Sequence, residues 1–299
     1  MQTAPRILAF GDNVVDCYRA RHLMFPGGNC VNHAVFARRF GAETAYAGAV
    51  ADDAAGRAIR DALLAEGVDT SLLRFLPGQT AYCVIATENG ERTFVGANLG
   101  VSIVRPAQAD LDWMKTADAV HTGRSSHVDG WLPTFAGLTR VSYDFATLRD
   151  EARIAQVAPH CFLAGFSGGG LDREQAVDLA ATALRHGATW ATVTRGDDGA
   201  LLMGVRGLHE GSAEKVVPVD TLGAGDTFIA RTLVGLLRGE DPPAILKAAA
   251  AAAAETCLSP GAFGHGVAMD LDLSAMMSVE EIYATTRAVP SPEEPRAAG

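Results

Sequence analysis

Short apolar runs alternate along this chain with longer stretches in which apolar residues recur every three or four positions. Ile7–Phe10, Thr44–Val50, Ala119–His121 and Thr189–Thr194 are apolar at successive positions, the signature of strands covered on both faces. Between them the spacing predicts a helix over 29–40, stopped by Gly41 in a left-handed turn. Asp53 is predicted to cap a second helix running through Glu66 and closed by Gly67. Asp172 and Gln175 form a capping box for a helix reaching His186, with Gly187 as its stop. Two late helices, over 226–238 and 244–257, are separated by Gly239 and Pro242-Pro243. This alternation predicts βαβ units and a mostly parallel sheet, hence an α/β fold.

One segment departs from that rhythm. Thr80–Thr87 and Arg92–Gly96 are β-rich runs around Glu88-Asn89-Gly90-Glu91, and Asn-Gly between such runs signals a hairpin. A hairpin inserted in an α/β chain is expected to project over the site as part of a lid, here drawn from about residues 12–26 and 79–98. One domain is expected over 1–284. The stretch 285–299, rich in Pro, Ala and Glu, is expected to be disordered.

Composition narrows the partners. The 299 residues are 48% hydrophobic and 20% charged, which are globular values. The net charge is −10 and lysine occurs only at Lys115, Lys215 and Lys247, so no basic stripe exists for nucleic acid. The five cysteines are scattered without a Cys-x-x-Cys, which argues against a disulfide framework or structural zinc and for a reducing, cytoplasmic setting. Residues 1–6 lack the form of a signal peptide. The alanine tract 248–254 reads as a helix, not a membrane span.

The densest chemistry lies in Val219-Asp220-Thr221-Leu222-Gly223-Ala224-Gly225-Asp226-Thr227-Phe228. Small residues with free amides at a helix start favour an anion, through unpaired N–H groups and the helix dipole. Asp226 beside such a site has an economical role: taking a proton from a hydroxyl while the amides hold a phosphoryl group. Taken alone, Asp226 could equally be a helix cap. A second cluster, Phe25-Pro26-Gly27-Gly28-Asn29-Cys30-Val31-Asn32, sets a glycine pair before the first long helix. There the backbone can approach a small ligand, with Asn32 one turn inside; taken alone, Asn29 could be only a cap.

Both strings resemble the two signatures of the ribokinase (PfkB-type) carbohydrate kinases, and the likeness runs over about residues 6 to 266. It implies a ribokinase-like αβα sandwich with a Rossmann-like central sheet and a small β-strand lid. It also implies ATP-dependent phosphorylation of a sugar hydroxyl. Asp226 would be the base, with Gly223, Ala224 and Gly225 forming the anion hole. Asp16, Asn13, Gly27, Gly28 and Asn32 would bind the acceptor, while Thr194, Gly196, Gly199 and Gly225 would face the nucleotide. Mg²⁺ would accompany ATP, and Asp220 and Thr221 fall where family members often bind a monovalent cation such as K⁺. Within the family, Gly11–Asp16, Phe25–Asn32 and Gly261–Gly266 resemble the fructoselysine 6-kinases, which act on the 6-hydroxyl of a sugar-amine. A substrate ammonium would want a carboxylate, and Asp12, Asp16 and Glu91 are available.

The chain also departs from the pattern. Many family members carry Asn-x-x-Glu to order Mg²⁺, where this chain reads Ala164-Gly165-Phe166-Ser167-Gly168-Gly169-Gly170. His121, Arg124 and His127 follow a strand and are either substrate contacts or exposed loop residues. Other acceptors stay open: 2-keto-3-deoxygluconate, ribose, fructose or a nucleoside. So does a sugar- or nucleotide-binding protein without catalysis. A P-loop is absent, and Gly11-Asp12-Asn13-Val14-Val15-Asp16 is not a dinucleotide fingerprint. An open hairpin edge would allow a homodimer through the lid.

Overall fold

The architecture comes from a computed structural model that describes residues 3–88, 91–278 and 281–282, with the side chains of residues 87–93 outside the described set. The Asn89-Gly90 turn and the tail expected from residue 285 therefore lie outside the described residues.

Strand β1 (Arg6–Phe10) turns Ile7 and Ala9 toward one core and Leu8 and Phe10 toward the other, which is why its sequence is apolar throughout. The chain then leaves the main sheet for a hairpin of β2 (Val14–Tyr18) and β3 (Leu23–Gly27). Next come α1 (Asn29–Arg39), β4 (Glu43–Val50), α2 (Ala54–Ala65) and β5 (Leu73–Phe75), extending the main sheet on one side of β1. Asp53 caps α2 as expected, accepting from the Gly56 amide at 2.8 Å. A second excursion forms the hairpin of β6 (Tyr82–Glu88) and β7 (Glu91–Asn98).

After α3 (Gln108–Met114) the chain builds outward on the other side of β1. It passes through β8 (Ala119–Gly123), α4 (Leu132–Leu138), β9 (Arg140–Asp144), α5 (Glu151–Val157), β10 (Leu163–Ser167), α6 (Arg173–Arg185) and β11 (Trp190–Thr194). The capping box at Asp172 and Gln175 is formed. Strands β12 (Ala200–Gly204) and β13 (Gly207–Gly211) complete this edge in antiparallel sense, and α7 (Ala224–Leu237) and α8 (Pro242–Thr256) follow.

The nine-stranded order is β13-β12-β11-β10-β9-β8-β1-β4-β5, parallel except for β12 and β13. Helices α1, α2, α7 and α8 cover one face and α3 to α6 the other, giving two separate apolar cores. The order in which strands are added reverses between β1 and β8, and such a switch point opens a crevice at the strands' C-terminal ends.

The second sheet has the order β14-β3-β2-β6-β7, where β14 is Val267–Ala268. From β14 the chain crosses to the opposite margin, where Met277 and Ala97 exchange backbone hydrogen bonds of 2.9 and 3.0 Å. The segment 267–277 thus touches both margins of this sheet.

Two helix boundaries differ from expectation. Helix α7 begins at Ala224, not Asp226, because Gly223 adopts a left-handed conformation (φ 79°) that starts the turn earlier. Helix α8 begins at Pro242, so the two prolines form its first turn, where no N–H is needed, and do not lie between the helices.

Candidate active site

The switch-point crevice is floored by the N-terminus of α1. Gly28 precedes that helix with φ 100°, and a Cβ there would lie 2.7 Å from the Asn13 Cα, so only glycine lets the two backbones approach. Gly27 is close-packed for another reason: a Cβ would sit 2.3 Å from Asp16 Oδ2 and 3.8 Å from Asn32 Oδ1. The missing side chain brings the Asp16 carboxylate over the start of α1. Asp12, after β1, accepts from the Asn29 amide (3.0 Å) and from Ser126 Oγ (2.9 Å), capping α1 from a separate segment.

Asp226 is the third residue of α7. It accepts no capping bond from its own helix; Asn32 Nδ2 donates to one oxygen at 2.6 Å and Asn29 Nδ2 to the other at 2.9 Å. The same Asn29 nitrogen donates to Asp144 Oδ2 at 2.7 Å. Asp144 closes β9, and its other oxygen accepts from the Ala146 amide at 2.7 Å. Burial pushes the Asp226 carboxyl up to about 6, against the lowering effect of its two asparagine donors and with a further rise from Asp12. Burial, then the charge of Asp226, pushes Asp144 up to about 7. Asn32 Oδ1 is buried and has no protein hydrogen-bond partner.

Behind Asn29 stands His121, whose Nε2 donates to Asn29 Oδ1 at 3.0 Å. Its Nδ1 accepts from Ser142 Oγ at 3.0 Å, and its ring stacks on His33 with centroids 3.5 Å apart. Both rings are fully buried, and burial holds His121 down at about 3 and His33 well below its usual range, so the pair is neutral.

A cleft of about 400 Å³ adjoins this cluster. Thr194, Gly196 and Gly199 line one side, and Ala224 and Gly225 at the start of α7 form the end nearest Asp226. Opposite are Ala250, Ala253 and Ala254 of α8. The alanine tract is thus a wall of small side chains that leaves the cleft open.

Residues 10–137 and 149–264 match the pattern of the pfkB family of carbohydrate kinases. The chain belongs to that family. It is 38% identical to the fructosamine kinase FrlD of Bacillus subtilis, covering 87% of this chain and 94% of that protein. It is 29% identical to the fructoselysine 6-kinase of Escherichia coli, covering 86% of this chain and 99% of that protein. Among solved structures, a ribokinase of Arabidopsis thaliana complexed with ribose and ATP superposes with a TM-score of 0.76 at 20% identity, over 88% of this chain and 96% of that one. The ribokinase-like α/β sandwich is the fold of this PfkB kinase.

Asp16, Gly27, Gly28, Asn32 and Asp226 of the PfkB chain lie together, and Ala224 and Gly225 join them to the cleft, while Gly223 caps α7 in a left-handed conformation and does not line it. Asn13 packs against Gly28 and is fully buried; its amide nitrogen donates to Tyr46 Oη (2.9 Å) and the Ala49 carbonyl (2.7 Å), and its Oδ1, like that of Asn32, has no protein hydrogen-bond partner. Asp220 braces the loop. Its oxygens accept from the amides of Leu222 and Gly261, each at 3.0 Å, and from the Tyr18 hydroxyl of the second sheet. Thr221 lines the cleft.

His121 is neither a loop residue nor exposed; it lies inside β8 and reaches the site only through Asn29. Asn29 is not a cap, since Gly28 holds that position and the Asn29 side chain spans two carboxylates. Asp144 went unnoticed in the sequence; an acid closing an apolar run at a strand's C-terminal end was the available signal. The side chains of Glu91 and Arg92 lie outside the described residues.

Proposed function

We propose that this carbohydrate kinase transfers the terminal phosphoryl group of ATP to a primary hydroxyl of a sugar-amine, the 6-hydroxyl of a fructosamine or fructoselysine. The observation that carries the reading is the seat of Asp226. Its carboxylate stands at the start of α7 between the Asp16–Asn32 surface and a cleft that Ala224 and Gly225 close. Likeness to a fructosamine kinase and a fructoselysine 6-kinase supports the acceptor class.

Asp16 and Asn32 Oδ1 present acceptors to sugar hydroxyls, and Asp226 receives the proton of the attacking hydroxyl as its oxygen bonds to phosphorus. The first-turn amides of α7 meet the charge spread over the transferred group. Thr194, Gly196 and Gly199 line the side of the cleft where the nucleotide phosphates would lie. Of the carboxylates named for the substrate ammonium, Asp12 accepts from Ser126 and the Asn29 amide, and Asp16 stands at the acceptor surface beside Gly27. The second sheet acts as the lid that keeps water from the phosphoryl group. No group of three His, Cys, Asp or Glu among the described residues is arranged to chelate a metal, so Mg²⁺ would be held chiefly by ATP oxygens and water. Bound there, it would neutralise charge on the transferred phosphate. A monovalent cation at Thr221 would be met mainly by main-chain carbonyls, because both oxygens of Asp220 already accept protein hydrogens.

Two measurements test this. ADP release over a panel of fructosamines, fructose, ribose, 2-keto-3-deoxygluconate and nucleosides should be fastest with a fructosamine. Preference for another acceptor refutes the substrate class, and thermal stabilisation by ligand without ADP release refutes catalysis. Asp226→Asn should lower kcat by about 10²- to 10⁴-fold with nucleotide affinity nearly unchanged. Retained turnover removes Asp226 as the base.

A further inference from the structure

Nothing in the reading above uses the Asn29–His121 pair, yet its geometry converges on the base. The Asn29 amide makes four side-chain contacts at once. Its nitrogen donates to Asp226 at 2.9 Å and to Asp144 at 2.7 Å, and its oxygen accepts from His121 at 3.0 Å and, more distantly, from Cys30 Sγ at 3.9 Å. An asparagine amide can rotate by half a turn and exchange its oxygen and nitrogen at little steric cost. Here that rotation would point the oxygen at two carboxylates and the nitrogen at a ring N–H. Each new contact would be repulsive, so one orientation is enforced. The enforcement uses the His121 tautomer that carries its hydrogen on Nε2, in which Nδ1 accepts from the Ser142 hydroxyl. The stack on His33 holds the ring plane.

We propose that Asn29 is a positioning residue for the base, aiming the Asp226 carboxylate toward the acceptor hydroxyl, and that His121 orients Asn29 for that task. The inference rests on the reading of Asp226 as the base. The train Ser142–His121–Asn29–Asp226 links β9, β8, α1 and α7, so the base is held by both sides of the switch point and not by its own helix alone. Asn32 holds only one of the Asp226 oxygens. A carboxylate held through one oxygen can pivot about that bond, and the second contact, from Asn29, removes the freedom. The titratable groups facing this train are Asp12 from the β1–β2 turn, Asp144 from β9, Asp226 from α7, His121 from β8, and His33 and Cys30 from α1.

The test uses full-length Asn29→Ala, His121→Leu and His121→Gln, with kinetics over about pH 5–9 and a ¹³C carboxyl titration of Asp226. Asn29→Ala should lower kcat by about 10- to 100-fold while KM for the sugar changes by less than about threefold. Losing a donor to the ionised carboxylate should raise the acid limb and the Asp226 titration by about one pH unit. His121→Leu should reproduce both shifts. His121→Gln, whose amide can still donate to Asn29 Oδ1, should recover most of the activity. An unmoved acid limb and titration in Asn29→Ala overturn the proposal, as does a glutamine variant no better than the leucine one. Should the His121 variants fail to fold, the Asn29→Ala titration decides alone. Retained turnover in Asp226→Asn would instead sink the base assignment.

Discussion

Asp226 and Asp144 share one donor nitrogen and both titrate well above an ordinary carboxylate, which has consequences for rate and for stability. A base must be ionised to accept a proton, so kcat/KM should fall as the pH drops through about 6; a pH–rate profile flat down to pH 5 would contradict this. Asp144, raised to about 7, favours the folded state most when it is protonated. The folded chain binds more protons than the unfolded one above about pH 4, and that contribution is lost as the pH rises through 7. Asp144→Asn should therefore raise the melting temperature above pH 7 and leave it nearly unchanged near pH 4. Gly27→Ala tests the acceptor surface. The new methyl would displace Asp16 and should raise KM for the sugar at least about tenfold with a smaller effect on kcat.

The residues that were legible in the sequence, Asp226, Gly223, Gly28 and Asn32, sit in short contiguous strings whose spacing restricts what they can do. Asp144, His121 and Asn29 were not legible as a group because 115 residues separate Asn29 from Asp144. Only the pairing of β8 and β9 beside β1 brings them together. Their individual types look like those of a cap, a loop histidine and a strand-end acid.

At the level of elements, α7 and α8 divide the work on the proposed nucleotide side. The start of α7 supplies first-turn amides, and its position depends on the left-handed Gly223, where a Cβ would lie 2.6 Å from the Ala262 Cβ. Most strands and helices were readable from periodicity and capping residues. The late helix starts were not, because a left-handed glycine and an N-terminal proline pair look like breaks when they are in fact starts. Helix α8 contributes bulk, or the lack of it. Ala250→Leu would push a branched side chain into the cleft. KM for ATP should rise at least about tenfold while direct binding of the sugar by calorimetry stays within about threefold. Equal losses for both ligands would place the nucleotide elsewhere.

For the molecule as a whole, the order of the nine strands matters more than any single contact. Reversal of strand order beside β1 gathers Asp12, Asn29, His121 and Asp144 at one crevice, and α7 delivers Asp226 from across the same face. The α/β class was legible from alternation alone, whereas the antiparallel pair β12 and β13 was not, because the apolar run of β12 does not encode its direction and the edge strand β13, Gly-Leu-His-Glu-Gly, is partly exposed and carries no strand pattern. The second sheet is assembled from stretches far apart in the chain, and one late segment pairs with both of its margins, through Val267 and Met277. A polypeptide ending before Val267 would retain Asp226 as the proposed base, its asparagines and the proposed nucleotide cleft. It would also leave two unsatisfied rows of backbone donors and acceptors open to strands from other molecules. Premature termination there should yield inclusion-prone material, not an inert soluble enzyme.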